Sequence, residues 1–563
     1  MTDFVPSSTQ LLVKRNSVYS RNPVSLSRRI FLGGTALFSA SAASASTENG
    51  EQRAARSFQA RVQAAQNERQ LPIPDHVSNG DEQRYANRIG NYSKGLPHND
   101  LGEVDSRAYS ALLNALSTEQ TADFESLTLG SPDPSRQRKL VDPLAGEAFD
   151  MEGTDCNQLA IAPAPAFASA QQAGEEVELY WMSLLRDVPF LEYGTNPLTQ
   201  AAAAELSRLS DFRGPKSAGQ VSARTLFRGI TPGDLSGPYL SQFLWRPAPF
   251  GAQFIDSKMR TAVPGLDYMT QYADWLDIQR GSQPLVSDQF DSTPRYVRNG
   301  RDLAQWVHKD VLYQAYFDAA LILLTPPDAS DSRSGGGIGA PLNPGNPYNH
   351  LRSMEGFGTF GGPYIAALVA EVATRALKAV WFQKWFVHRR LRPEAFGGRL
   401  HNQLADKTRY PIHADVLNSA AVAQVFSKHG TYLLPQAYPE GSPLHPSYGA
   451  GHATVAGACV TVLKALFDES FVIPNSVVPT SDGLGLLAYT GAPLTVGGEL
   501  NKLASNVASG RNFAGIHYRS DMSESLKLGE AVAISVLADQ NLTYREDFAG
   551  FTFTKFDGTR ITV

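Results

Sequence analysis

Apolar residues recur at helical spacing in several long stretches of this chain. Residues 177–185 form one such stretch. Residues 303–324 form another, in which Trp306, Val307, Val311, Leu312, Ala315 and Leu323 fall near a 3.6-residue period. The longest runs over 363–392 without an internal Gly or Pro and stops where Pro393 forbids continuation. Residues 451–467 and 521–537 complete the set. Strand signals are scarce. The clearest is C-terminal, where residues 551–556 and 559–563 flank Asp557-Gly558 and predict a tight hairpin. The expected class is mainly α with a small C-terminal β-hairpin.

Residues 46–75 are polar and read as a linker or a loose helix. The Gly-rich stretches 334–339 and 482–485 do not lead into a Gly-Lys-Ser/Thr sequence, so they read as ordinary loops rather than phosphate loops. At the N-terminus, Ser27-Arg28-Arg29-Ile30-Phe31-Leu32 precedes a modestly apolar stretch ending in Ala43-Ser44-Ala45. That succession resembles a twin-arginine export signal over 1–45, with a periplasmic or extracellular destination. No apolar run is long enough for a membrane span. The net charge of -5 over 563 residues argues against nucleic acid as a partner. Local basicity at Arg389, Arg390 and Arg392 points instead to a small anion. Cys156 and Cys459 form no Cys-x-x-Cys pattern, and Cys459 sits in an apolar run that predicts a buried thiol. Their pairing is left open.

Three segments carry the chemistry. In the first, Lys384, His388 and Arg392 are spaced i, i+4, i+8 and would share one stripe, about 12 Å long, at the end of the longest helix. A basic last turn that offsets the helix dipole accounts for them equally well. In the second, His445-Pro446-Ser447-Tyr448-Gly449-Ala450-Gly451-His452 breaks the chain before a helix starts near His452. A helix start offers free N–H groups to an anion. His452 there is either an acid–base group or a surface histidine, and His445 either a site residue or a loop packing residue. In the third, Arg511 and His517 are separated by Gly515, and Asp521 follows His517 by four residues. Asp521 would accept the His517 Nδ1 proton, or act as an N-cap with Glu524 in a capping box. Cations and imidazoles without acidic partners in the same motifs suit a phosphate-sized oxyanion rather than a divalent metal.

Together these segments resemble the active-site signature of vanadium-dependent haloperoxidases, most closely the algal-type bromoperoxidases. The specific part of the resemblance covers about residues 350–525, within one helical domain over 76–563. It implies two four-helix bundles around a central oxyanion site. By the same resemblance His517 would be the axial ligand to vanadium. Lys384, Arg392, Arg511 and the Gly451 N–H would hold vanadate oxygens, and His452 would move the proton. His445 stands where the algal type has a histidine, which implies bromide and iodide rather than chloride. The eight-residue spacing from Lys384 to Arg392 favours this branch over the related type 2 phosphatidic acid phosphatases. Ala450 departs from the pattern, which has a serine there whose hydroxyl donates to vanadate. One donor is worth about 0.5–1.5 kcal/mol, so weaker vanadate binding is expected.

The implied reaction oxidises halide with hydrogen peroxide to hypohalous acid, which halogenates a small organic acceptor, with Lys384 polarising the bound peroxide. Two rivals use the same residues: an acid phosphatase with His517 as nucleophile, and an oxyanion-binding protein without activity. The family analogy also implies a homo-oligomer. Structural calcium occurs in relatives, but no loop here has an unmistakable oxygen-ligand spacing.

Overall fold

Six helices position the site in the computed structural model, which describes residues 48–327 and 336–563. They are α1 (Gly300–Lys309), α2 (Gly362–Phe382), α3 (Pro393–Leu404), α4 (Gly451–Leu466), α5 (Val496–Phe513) and α6 (Arg519–Asn541). The chain divides into two compact units, Met1–Arg56 and Ser57–Val563. The export-type segment 1–45 lies outside the described residues, as do residues 334 and 335 of the first Gly-rich stretch. The polar stretch 46–75 contains a helix, Gly50–Gln70, with no buried residue.

Helix α4 is Ala- and Val-rich around its whole circumference, and of its residues only His452 is not fully buried. Such a helix must sit at the centre of a bundle. It packs against α2, α5 and α6, and α5 packs in turn on α1. The approach of α4 to α6 is set by two glycines. A Cβ at Gly457 would lie 2.1 Å from the Leu526 carbonyl oxygen, and one at Gly529 would lie 1.9 Å from that of Thr454. Only glycine at both positions lets the backbones touch, and that contact brings the start of α4 beside the start of α6. A second helical group gathers around Ala170–Leu184, with Pro197–Arg208, Ala414–Leu417 and Ala420–His429 against it, and α5 touches both groups.

The C-terminal hairpin forms as predicted. Strands β1 (Thr552–Thr554) and β2 (Arg560–Thr562) pair antiparallel with Phe553 opposite Ile561, and Gly558 takes φ +85° in the turn. Residues 482–485 close another short hairpin, between Val477–Pro479 and Leu486–Ala488. Among the described residues no helix is long and apolar enough to cross a membrane. Both cysteines are free and buried, and Cys459 donates to the Val369 carbonyl at 3.3 Å.

Two helices differ from the periodicity. The stretch 303–324 is not continuous: α1 ends at Lys309, and a separate helix, Gln314–Leu324, follows. The stretch 363–392 leaves α geometry at Gln383, continues as one π turn to His388, and breaks at Arg389, which takes φ 39°. Arg392 is therefore not on that helix. It is the N-cap residue of α3, where Pro393 occupies the first helical position.

Candidate active site

Lys384 emerges from the π turn into a fully buried position. Its Nζ donates to the carbonyls of Pro446 at 2.7 Å and Ser447 at 3.0 Å, which leaves one ammonium donor unassigned. Arg392 reaches the same place from the N-cap of α3. Its Nε donates to His445 O at 3.0 Å, Nη2 to His445 Nδ1 at 3.0 Å, and Nη1 to Ile516 O at 2.8 Å and His517 Nε2 at 2.9 Å. Arg511, in the last turn of α5, donates to Val307 O at 3.0 Å, and its Nε is buried without a partner. Among the described residues none of these three cations forms an ion pair with a carboxylate.

The neighbouring arginines behave in the opposite way, which corrects the reading of all three as anion ligands. Arg389 pairs with Glu82 at 2.7 Å, and Arg390 pairs with Asp521 at 2.7 Å and Glu175 at 3.0 Å. Their charge is consumed inside the protein. His388 is also separated from Lys384 and Arg392. The π turn and the break rotate it away, edge-on to Tyr448 at 4.8 Å, with both ring nitrogens buried and unpartnered. The single stripe expected from the spacing does not form.

His517 is held between a carboxylate and a cation. Its Nδ1 lies 2.8 Å from Asp521 Oδ2, so Nδ1–H donates to the carboxylate and Nε2 keeps its lone pair. Asp521 also accepts from Ser447 Oγ at 2.5 Å and from Tyr518 N at 3.1 Å. The first sequence reading of Asp521 holds, and the second is corrected: the N-cap of α6 is Tyr518, Asp521 is the third helical residue and accepts from the Tyr518 amide, and Glu524 pairs with Lys527 instead of closing a capping box.

Gly451 opens α4, where a backbone N–H has no carbonyl one turn earlier to bond. A Cβ there would come within 3.3 Å of the Trp381 ring. His452 follows and places Nε2 at 3.2 Å from Asp310 Oδ1. His445 lies against Trp381, with ring centroids 4.8 Å apart. A cavity of about 500 Å³ is lined by His445, Gly451, His452, Arg511 and His517, among others. Lys384 and Arg392 stand behind that wall. Asp310 was not visible in the motifs, because it follows α1 at the point where the periodicity ran on unbroken.

The basic groups of the site are shifted in one direction. Burial lowers the pKa of Lys384 well below its ordinary value, and Arg392 lowers it further. Burial does the same to His445 and His517, with nearby cations adding to it. Arg392 itself is lowered to about 10 by burial. Burial works to raise the Asp521 pKa, but Arg390 and His517 overcome it and hold the carboxyl well below the usual range. A small oxyanion would reverse the shifts on the bases, since an adjacent negative charge favours their protonated forms. The donors match such an ion: three cations, a helix-start amide and an imidazole lone pair, with carbonyls rather than carboxylates as competitors.

Cations without acids, gathered with imidazoles at a helix start inside a bundle, define a helical oxyanion-binding protein equipped for proton transfer. Residues 421–544 match a family model described as the VCPO second helical-bundle domain. The vanadium-dependent bromoperoxidase of Corallina pilulifera is 36% identical, with 92% of this chain and 99% of that protein covered. That of Ascophyllum nodosum is 36% identical, with 89% and 90% covered. The homohexameric structure of the second vanadate-dependent bromoperoxidase of Ascophyllum nodosum superimposes with a TM-score of 0.85 at 32% identity, over 95% of this chain and 94% of that one. The chain belongs to the vanadium-dependent bromoperoxidase family.

Proposed function

We propose that this protein is a vanadate-dependent peroxidase that oxidises bromide, and iodide, with hydrogen peroxide to hypohalous acid, which halogenates small organic acceptors. The observation that carries this reading is the set of Lys384, Arg392 and Arg511, none of which pairs with a carboxylate among the described residues: Arg392 meets His517 Nε2 at 2.9 Å, Arg511 lines the same cavity as His517, and Lys384 is held on the Pro446 and Ser447 carbonyls. Bound vanadate supplies a Lewis-acidic centre that activates peroxide without changing its own oxidation state. His517 offers Nε2 as the metal ligand, with its tautomer held by Asp521. Lys384, Arg392, Arg511 and the Gly451 amide would hold the oxyanion oxygens, and the remaining Lys384 N–H would oppose negative charge developing on them. His452 donates from Nε2 to Asp310, which leaves the Nδ1 lone pair to accept a proton from peroxide. His445 shapes the wall beside Trp381.

Family membership and the homohexameric relative support assembly into a homo-oligomer. The N-terminal signal supports export to the periplasm or the cell exterior. The deciding experiment assays the purified protein with and without orthovanadate, for bromination by peroxide and bromide and for phosphate-ester hydrolysis. Vanadate-dependent bromination supports the reading. Vanadate-inhibited hydrolysis would assign the site to phosphoryl transfer, and neither activity with retained vanadate binding would make it a binding protein.

A further inference from the structure

Arg511 is held differently from its companion Arg392. Arg392 bonds through all three of its guanidinium nitrogens, to His445, Ile516 and His517. Both hydrogen bonds of Arg511 leave from Nη1, one to Val307 O at 3.0 Å and one to Tyr438 Oη at 3.5 Å, the long end of the range. A guanidinium tied through one nitrogen can tilt about it. Its aim must come from what packs against its face.

Tyr438, which lies outside the three motifs, supplies that face. The Arg511 guanidinium sits over its ring, 5.5 Å from the centroid, within reach of a cation–π attraction. The ring is itself fixed from several directions. Its hydroxyl donates to Ala304 O of α1 at 2.5 Å, and the His308 imidazole stacks on it with centroids 3.7 Å apart and planes 9° from parallel. His308 is held in turn by Glu440, 2.6 Å from Nε2. The Ala437 amide donates to Ala514 O at 3.0 Å, which ties the backbone beside Tyr438 to the end of α5, just past Arg511. Burial raises the Tyr438 pKa above its ordinary value, so the hydroxyl keeps the proton it gives to Ala304 and offers Arg511 only oxygen lone pairs. Gly510 lets α5 close on α1 at this level, since a Cβ there would lie 2.9 Å from a Val307 methyl carbon. Tyr438 is 2% exposed and lines the cavity with Arg511 and His517.

We propose that Tyr438 is a positioning residue of the oxyanion site, whose ring, braced by His308, holds the Arg511 guanidinium so that its unbonded N–H groups stay available to the oxyanion. The proposal rests on the function given above in taking Arg511 as an oxyanion donor. The ring does most of the holding, because the contact with the hydroxyl is long.

The test titrates full-length, vanadate-free protein with orthovanadate, as wild type, Tyr438→Leu and Tyr438→Phe, each with and without Arg511→Ala. Tyr438→Leu should weaken vanadate binding about tenfold, the size of a partly desolvated cation–π contact. Tyr438→Phe keeps the ring and should stay within about threefold of the wild type, having lost one weak hydrogen bond. In the Arg511→Ala background Tyr438→Leu should change the affinity by less than about twofold, because a residue that acts through Arg511 has nothing left to aim. A loss in Tyr438→Leu below about threefold overturns the proposal. An equal loss in both backgrounds also overturns it, since that marks a general disturbance of the cavity, and so does a Tyr438→Phe variant no better than Tyr438→Leu. Crystal structures of the vanadate-free wild type and Tyr438→Leu read the same point without a ligand. Arg511 should leave the Val307 carbonyl in the variant, and an unmoved guanidinium rejects the proposal. If the wild type binds no orthovanadate, the proposed function fails, while the structural comparison still decides the role of Tyr438.

Discussion

Asp310 reaches His452 from the end of α1, a helix that contributes nothing to the three motifs, and sets its Oδ1 at 3.2 Å from Nε2. That contact fixes which imidazole nitrogen remains free. Asp310→Ala should lower kcat by roughly 10–100-fold while leaving vanadate affinity nearly intact, the pattern of a lost orienting partner. Steady-state kinetics paired with equilibrium dialysis of vanadate check it, and equal losses in both would assign Asp310 to cofactor binding.

His517→Ala removes the one lone pair directed at the oxyanion position. Vanadate should wash out of this variant on gel filtration and remain with the wild type. Retention by the variant would mean that the cations alone hold the ion.

Asp521 compensates Arg390, orients His517 and caps α6 from a buried position. Asp521→Asn leaves Arg390 short of one charge partner in the core, at a cost of about 3–5 kcal/mol. Urea unfolding of vanadate-free protein measures this. A loss below about 1 kcal/mol would show that Glu175 alone satisfies Arg390.

Burial lowers the His388 pKa to about 3, from 6.5 in the unfolded chain. Below pH 6.5 the unfolded state therefore binds a proton that the folded state refuses, and stability falls as pH falls. Above pH 6.5 the group is neutral in both states and contributes no slope. His388→Phe deletes this liability, so its stability relative to the wild type should improve by about 2 kcal/mol between pH 7 and pH 5. Parallel pH–stability curves for the two proteins would place the acid sensitivity elsewhere.

Ala450 is buried at the N-cap of α4, with its amide donating to Ser525 Oγ at 2.7 Å. Ala450→Ser adds a hydroxyl beside the oxyanion position and should tighten vanadate binding by about three- to tenfold, the worth of one added hydrogen bond. Titration of the vanadate-free protein with orthovanadate reads this directly.

The three motifs were legible because their informative spacings are short and survive folding. Gly449 to His452 make a helix start whatever surrounds them, and His517 meets Asp521 four residues on. The apolar run over 451–467 marked α4 to within one residue, while that over 521–537 marked only the middle of α6, which extends from Arg519 to Asn541. What escaped was set by contacts across the fold. The neutralising partners of Arg389 and Arg390 lie far along the chain at Glu82, Glu175 and Asp521, so the sequence placed their charge with that of Arg392 toward a small anion, when only Arg392 of the three has no carboxylate partner among the described residues. The π turn over Gln383–His388 has no signature in an apolar period, yet it is what parts His388 from Lys384. Asp310 arrives only through the packing of α1.

Lys384, Arg392 and Arg511 find carbonyls and imidazoles where an ordinary core would supply acids. On the proposed function, the protein would act as a single-site anion exchanger built into a helical bundle. Selectivity in such an exchanger is relative, because phosphate presents the same tetrahedron of oxygens to the same donors. On the proposed function, the ratio of vanadate to phosphate in the surrounding medium, rather than either concentration alone, would decide how many molecules are catalysts at a given moment, and a change of buffer would act as a change of enzyme concentration.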